Sequence, residues 1–272
     1  MTRFLVVPQW QGSPAARAML LVDGAEAIAG DLPRSACTLV EVPLEAGEAL
    51  ETGVQRLSAV ARIRSIVEEH LAPLTEHVVV VGGDCGVAVP AIAHAAAQHP
   101  ALAVVWCDAH GDLNDPESSP SGAFSGMALR AVLGEGEGTL RLDGAIAADR
   151  VVLVGARDLD DPEEEAAERF GLRRLSADDL ADPDALAAAV ASTGADAVYV
   201  HVDLDVLDPA VLGGVSIPVP FGAEVPQLVA AIGRLRERVP LVGASIAGFA
   251  PASPAAAVDD LGAILRVIGA LA

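Results

Sequence analysis

Short apolar runs rich in β-branched residues recur along the chain, at Phe4 to Val7, Cys37 to Val42, His77 to Val81, Leu102 to Cys107, Arg150 to Val154, Ala197 to Val202 and Leu241 to Ile246. Their continuous apolarity, without a polar alternate face, marks strands buried on both sides. Between them lie Ala- and Leu-rich stretches with charges at helical spacing, Gly47 to Glu69, Val87 to Gln98, Glu163 to Phe170, Asp182 to Ser192, Val225 to Glu237 and Asp259 to Leu271, which read as helices. A weaker strand is expected at Leu172 to Leu175. Strand–helix alternation over the whole length predicts a three-layer αβα sandwich around a mostly parallel sheet of about eight strands. Without a repeat, a linker or a low-complexity tail, one α/β domain over 1–272 is expected.

Aromatic residues are only 3% of a chain that is 52% hydrophobic, so the core has to be packed from small and branched aliphatic side chains. Cys37, Cys85 and Cys107 are an odd set at irregular spacing, which argues against a secreted disulfide framework and for a cytoplasmic location. The first apolar run is too short for a signal-peptide core or a membrane span, so no membrane partner is expected. The 17 basic residues are scattered among 38 acidic ones, for a net charge of −21. That balance excludes a phosphate-binding surface for nucleic acid and favours cationic ligands, although a general compositional bias explains it equally well.

Two stretches interrupt the alternation: Gly111 to Gly126 and Val206 to Pro220, crowded with Gly, Pro, Ser and Asp. Each follows a strong strand, and in parallel sheets the segments leaving the carboxyl ends form the ligand crevice. There the chain places Asp108-Ala109-His110-Gly111-Asp112 and Asp203-Leu204-Asp205. If extended backbone continues, Asp108, His110 and Asp112 share one face, as do Asp203 and Asp205. Carboxylates that close repel unless a cation lies between them, and carboxylates with one imidazole suit a hard or borderline divalent ion such as Mn²⁺. The bland reading of each is a loop cap or a solvated acidic patch. A third strand end, Val81-Gly82-Gly83-Asp84-Cys85-Gly86, is tight and glycine-flanked.

Together these segments resemble the ureohydrolase family, the arginases, agmatinases and formimidoylglutamases. The family's GGDH, DAHxDxN, SGNxHG and DxDxxDP motifs stand here, in order, as GGDC (Gly82 to Cys85), DAHGDLN (Asp108 to Asn114), SGAFSG (Ser121 to Gly126) and DLDVLDP (Asp203 to Pro209). The resemblance implies two Mn²⁺ per chain, with Asp108 and Asp203 bridging, Asp112 completing one site with Cys85, and His110 with Asp205 completing the other. Such ions would acidify a bridging water and present hydroxide to a trigonal carbon of a guanidino or amidino group. It also implies catalytic positions at Asp112 and Ser125, and substrate contacts from Asn114, Ser121, Asp160 and Glu163, the last two in GARDLDDPE. A small-molecule substrate and a homo-oligomer, trimer or hexamer, are implied as well.

Three positions depart from the pattern. Cys85 replaces a metal-binding histidine, and a thiolate is softer than imidazole, so this site is expected to bind its ion weakly or to favour another divalent metal; the bland reading is a buried thiol. Ser125 replaces the histidine that shuttles protons, which a hydroxyl cannot imitate near neutral pH. Gly248, in Ala247-Gly248-Phe249-Ala250-Pro251, replaces the glutamate that pairs with guanidinium. Efficient arginine hydrolysis is therefore not expected. The leading expectation is a metal-dependent hydrolase of non-peptide C–N bonds. The alternative is a non-catalytic or regulatory relative that binds metal and a ligand or partner subunit; deacetylase-like chemistry is more remote. His70, His94 and His99 read as surface or edge residues, Trp106 and Cys107 as packing, and His201 as a buried structural histidine or a residue reaching the crevice.

Overall fold

A computed structural model describes residues 2–272. Among the described residues the strands are β1 (Arg3–Val7), β2 (Cys37–Leu39), β3 (Val78–Gly82), β4 (Leu102–Cys107), β5 (Val151–Val154), β6 (Arg173–Leu175), β7 (Ala197–Asp203) and β8 (Leu241–Ala247), in one eight-stranded sheet of order β2-β1-β3-β8-β7-β4-β5-β6. Every pairing between them is parallel rather than mostly so. The expected apolar runs are the strands, the weak sixth included, because each central strand is covered on both faces. All of β3 and β4 is buried, and full burial of each Val or Leu side chain is worth roughly 1.5–3 kcal/mol relative to exposure.

The helices are α1 (Leu20–Asp31), α2 (Leu57–Leu71), α3 (Ala88–Gln98), α4 (Ala128–Val132), α5 (Asp161–Phe170), α6 (Ala185–Ala191), α7 (Val225–Arg238) and α8 (Pro254–Leu271). One layer comprises α1, α6, α7 and α8, packed on the strand face that carries Val105, Val200 and Val202. The other comprises α2 to α5, packed on the face of Val104, Trp106 and Tyr199. The predicted three-layer sandwich is the observed one.

Local boundaries differ where glycine or tertiary contact intervenes. The helix expected from Gly47 begins only at Leu57, because Leu50, Glu51 and Arg56 hold positive φ angles of 50°, 59° and 56° and Gln55 donates its N–H to Gly122 O at 2.6 Å. Helix α1 was not expected, its pattern being diluted by Gly24 and Gly30. Yet Leu21, Gly24, Ala25 and Ile28 are buried at helical spacing, and a Cβ at Gly24 would stand 2.0 Å from Phe249 O. Helix α8 starts at Pro254 rather than Asp259, capped by Ser253, whose Oγ accepts from Ala256 N at 3.2 Å.

Candidate metal centre

The adjacent strands β3, β8, β7 and β4 end in the middle of the sheet, and the motif residues leave from those ends. They do not continue extended, so strand alternation is not what brings them together. Asp108, just past β4, folds its carboxylate back, Oδ1 accepting from His110 N at 2.7 Å and Oδ2 from Trp106 Nε1 at 3.2 Å. Asp203 ends β7 and accepts from Asp205 N at 3.0 Å, which starts the 3₁₀ turn Leu204–Val206. Asp112 adopts a left-handed conformation, φ 51°. Such carboxylate-to-backbone turns are the ordinary local chemistry of Asp, and they aim the side chains into one cleft.

Convergence is close. His110 Nδ1 lies 3.3 Å from Asp108 Oδ1 and 3.1 Å from Asp205 Oδ2, while Asp205 Oδ1 accepts from Ala109 N at 3.0 Å. Cys85 donates its thiol to Asp203 Oδ2 at 2.8 Å and lies 3.9 Å from Asp108 Oδ2. Cys85, Asp108, Asp112, Asp203 and Asp205 are all buried. Asp84, beside them, is spent on structure: it accepts from Gln9 Nε2, Gly12 N and Gly86 N at 2.7–2.9 Å.

Burial among like charges distorts the titration of the cluster. Desolvation first, then the neighbouring carboxylate charge, pushes Asp203 to about 7 and Asp205 to about 6, and raises Asp112 well above the usual range. The same causes raise the Cys85 thiol. For His110 burial opposes the charged form, but hydrogen bonds to Asp108 and Asp205 and their charges prevail and push it up to about 12. Of the five buried side-chain atoms without a hydrogen-bond partner among the described residues, Asp112 Oδ2 and His201 Nε2 belong to this region. Leaving a buried carboxylate oxygen unpaired costs free energy that a bound cation would offset. Ligand atoms within 4.8 Å of one another form two groups among the described residues, Asp108–His110–Asp205 and Cys85–Asp108–His201. The donor set and its orphaned atoms fit divalent metal.

The cleft holds about 150 Å³, and Asn114, Ser121, Ser125, Glu163 and Gly248 share its wall with the carboxylates. Asp160 does not line it. Instead Asp160 and Glu163 form a capping box at the start of α5: Asp160 Oδ1 accepts from Glu163 N at 3.0 Å and Glu163 Oε2 from Asp160 N at 3.2 Å. Glu163 also accepts from Leu113 N at 3.2 Å, and burial raises it to about 7. Asn114 donates to Asp160 Oδ2 at 3.0 Å and accepts from Ser118 Oγ at 2.7 Å, so both ends of its amide are engaged. Ser121 Oγ accepts from Ala123 N at 3.1 Å. Gly248 has φ +88°, and a Cβ there would lie 2.1 Å from Asp203 Oδ1.

Sequence reasoning left Trp106 as packing and His201 between a structural role and the crevice, and it missed Arg157. Trp106 is more than packing, since it donates to Asp108. His201 packs against it with the rings tilted by 41°, centroids 4.0 Å apart. Arg157 donates to Asp205 O at 2.8 Å, Val219 O at 2.7 Å and Pro220 O at 2.9 Å, pinning the 206–220 loop beside the cluster; its place inside GARDLDDPE was the available signal. A second cavity, about 240 Å³, opens at the opposite edge of the sheet beside His77, His94 and His99. It lacks converging carboxylates.

A description of the arginase family matches residues 23–265. The chain is 35% identical over 170 residues to an arginase of Bacillus subtilis (strain 168), covering 59% of this chain and 55% of that protein. It is 34% identical over 201 residues to an arginase of Bacillus caldovelox, 66% of each. The matched segments thus span between about half and two thirds of these relatives' lengths. In structure it is similar to the arginase of Entamoeba histolytica crystallised with L-ornithine, with a TM-score of 0.87 at 22% identity over 99% of this chain and 97% of that one. The chain belongs to the arginase family.

Proposed function

We propose that this chain is a metal-dependent hydrolase that cleaves a non-peptide C–N bond in a small guanidino- or amidino-type substrate. The observation that carries the reading is the buried convergence of Asp108, His110, Asp112, Asp203 and Asp205 on one cleft, with Asp112 Oδ2 left unpaired. Asp108 and Asp203 would be shared between two divalent ions, Mn²⁺ being expected; Asp112 and Cys85 would serve one, His110 and Asp205 the other. When bound, such ions supply Lewis acidity and a nucleophilic water near neutral pH.

The remaining chemistry falls to the chain's own groups. Glu163, on the cleft wall and raised to about 7 by burial, can hold or accept a proton near neutrality. Ser125 takes the catalytic wall position but offers only a hydroxyl, which exchanges protons poorly at that pH. Asn114 and Ser121 would meet the substrate's carboxylate and Glu163 its amino end, with Asp160, outside the cleft, holding Glu163 through the capping box. Gly248 provides no carboxylate for guanidinium, and its position leaves no room for one; the missing charge partner would cost about 2–5 kcal/mol of binding. Arginine turnover should therefore be weak, and another guanidino or amidino compound the better substrate.

That same geometry favours a second reading, a non-catalytic or regulatory relative that binds metal and a ligand or partner subunit without turnover. A homo-oligomer of three or six chains, a cytoplasmic location and one domain over the whole chain accompany the proposal. Among the described residues no helix is long and apolar enough to cross a membrane. To separate the readings, metal content is measured after manganese loading, and urea or ammonia release is followed across a guanidino and amidino panel. Two ions per chain with release from at least one compound is expected. Two ions with no release from any would sink the hydrolase and leave the second reading.

A further inference from the structure

Among the described residues His201 is the one imidazole placed wholly inside the molecule beside the carboxylate cluster, and none of the motif roles includes it. β7 sets it in register with Trp106 of β4 on one side and Ser245 of β8 on the other. Its ring is fully buried, Nδ1 lies 2.8 Å from Ser245 Oγ, and Nε2 has no hydrogen-bond partner. A buried ring nitrogen left unpaired is costly and uncommon. Its surroundings supply the explanation: a ring nitrogen of His201, Cys85 Sγ and a carboxylate oxygen of Asp108 lie mutually within 4.8 Å. Around a zinc-like ion the same three atom types would stand about 3.5 Å apart, a small contraction. Ser245, by accepting from Nδ1–H, would hold the tautomer whose Nε2 lone pair points to the ion, as the outer partners of metal-bound imidazoles do.

We propose that His201 Nε2 is a metal ligand, and that with Cys85 and Asp108 it builds a thiolate–imidazole–carboxylate site beside the shared Asp203. The imidazole expected at position 85 is thus supplied from β7, two strands along the sheet from β3. The inference rests on the reading of the cluster as a metal centre and deepens it. On binding, the Cys85 thiol gives its proton to solvent and its sulfur lone pair joins the metal. A thiolate and an imidazole together favour a borderline ion, so this site prefers Zn²⁺ or Co²⁺ over Mn²⁺ more strongly than does the site of His110 and Asp205, which has no thiolate.

The test is Co²⁺ titration of the full chain, read by elemental stoichiometry and by the near-ultraviolet thiolate-to-cobalt charge-transfer band with the visible ligand-field bands. Wild type should bind two ions and show the charge-transfer band. His201→Ala and the bulkier His201→Gln should each weaken one ion by at least about tenfold and change the visible bands. Cys85→Ser should abolish the charge-transfer band, and Asp205→Asn should weaken the other ion and leave that band in place. Circular dichroism of each variant verifies folding, and His201→Gln maintains the test if the alanine variant unfolds. Zn²⁺ should displace Mn²⁺ from one site at lower concentration than from the other, and His201→Gln should narrow that difference. A wild type that binds no metal would overturn the metal-centre reading together with this inference. Wild-type binding with unaltered affinity and visible bands in both His201 variants would overturn the inference alone.

Discussion

At Gly248 one backbone conformation decides what the cleft can read. Its φ of +88° suits glycine, and the space where a Cβ would stand is taken by Asp203 Oδ1. Gly248→Ala should therefore cost about 1–3 kcal/mol from the backbone alone and also displace a shared ligand. Denaturant unfolding should show the loss of stability, and elemental analysis a fall in bound metal; a variant of unchanged stability and metal content would refute the account. Asp203→Ala should abolish binding of both ions, since its carboxylate contacts Cys85 and Asp205 N on either side. Retained stoichiometry would mean that the cluster has been misplaced. Residue types in DAHGDLN and DLDVLDP were legible because they are local, whereas the orphaned Nε2 of His201 depends on which strands flank β7.

Among the elements, the start of α5 shows a motif with two readings resolved by hydrogen bonds. Asp160 and Glu163 cap each other reciprocally and Asn114 leans on Asp160, so the box joins the helix to the 111–126 loop. Asp160→Ala should lower stability by about 0.5–2 kcal/mol while both metal ions stay bound, as thermal melts and elemental analysis would show. Loss of metal in that variant would place Asp160 inside the centre. The strands were readable because double burial demands unbroken apolar runs. Helix α1 was not, because Gly24, needed for close approach to Phe249, breaks the pattern that sequence periodicity detects. The stretch before α2 carried a helical charge spacing, but positive φ at Leu50, Glu51 and Arg56 made it a loop held by Gly122.

For the whole molecule, the sheet order gathers buried carboxylates that repel one another, and this sets a pH dependence. Asp203 and Asp205 rise from an ordinary value of 3.8 to about 7 and about 6. Both bind more protons folded than unfolded, so their contribution to stability is present below about pH 4 and is lost as pH rises through 6–7. His110, raised to about 12, has the same sign: its contribution is complete below about 6.5 and is lost progressively as pH climbs from there through 12. Divalent metal replaces those protons, so the rise in Tm on adding Mn²⁺ should be larger at pH 8 than at pH 5.5. Equal increments in melts at both pH values would refute this. By itself the sequence determined the buried strands, the carboxylate-bearing segments that follow them and the substitutions at Cys85, Ser125 and Gly248, because burial, turn chemistry and residue type are local properties. Only the tertiary structure decided that Cys85 meets Asp203 across 118 residues of chain and Ala109 meets Asp205 across 96, and that His201 faces both Trp106 and Ser245. Those contacts follow from strand order, and strand order is set by how two helical layers pack against one sheet, a balance that no single segment carries.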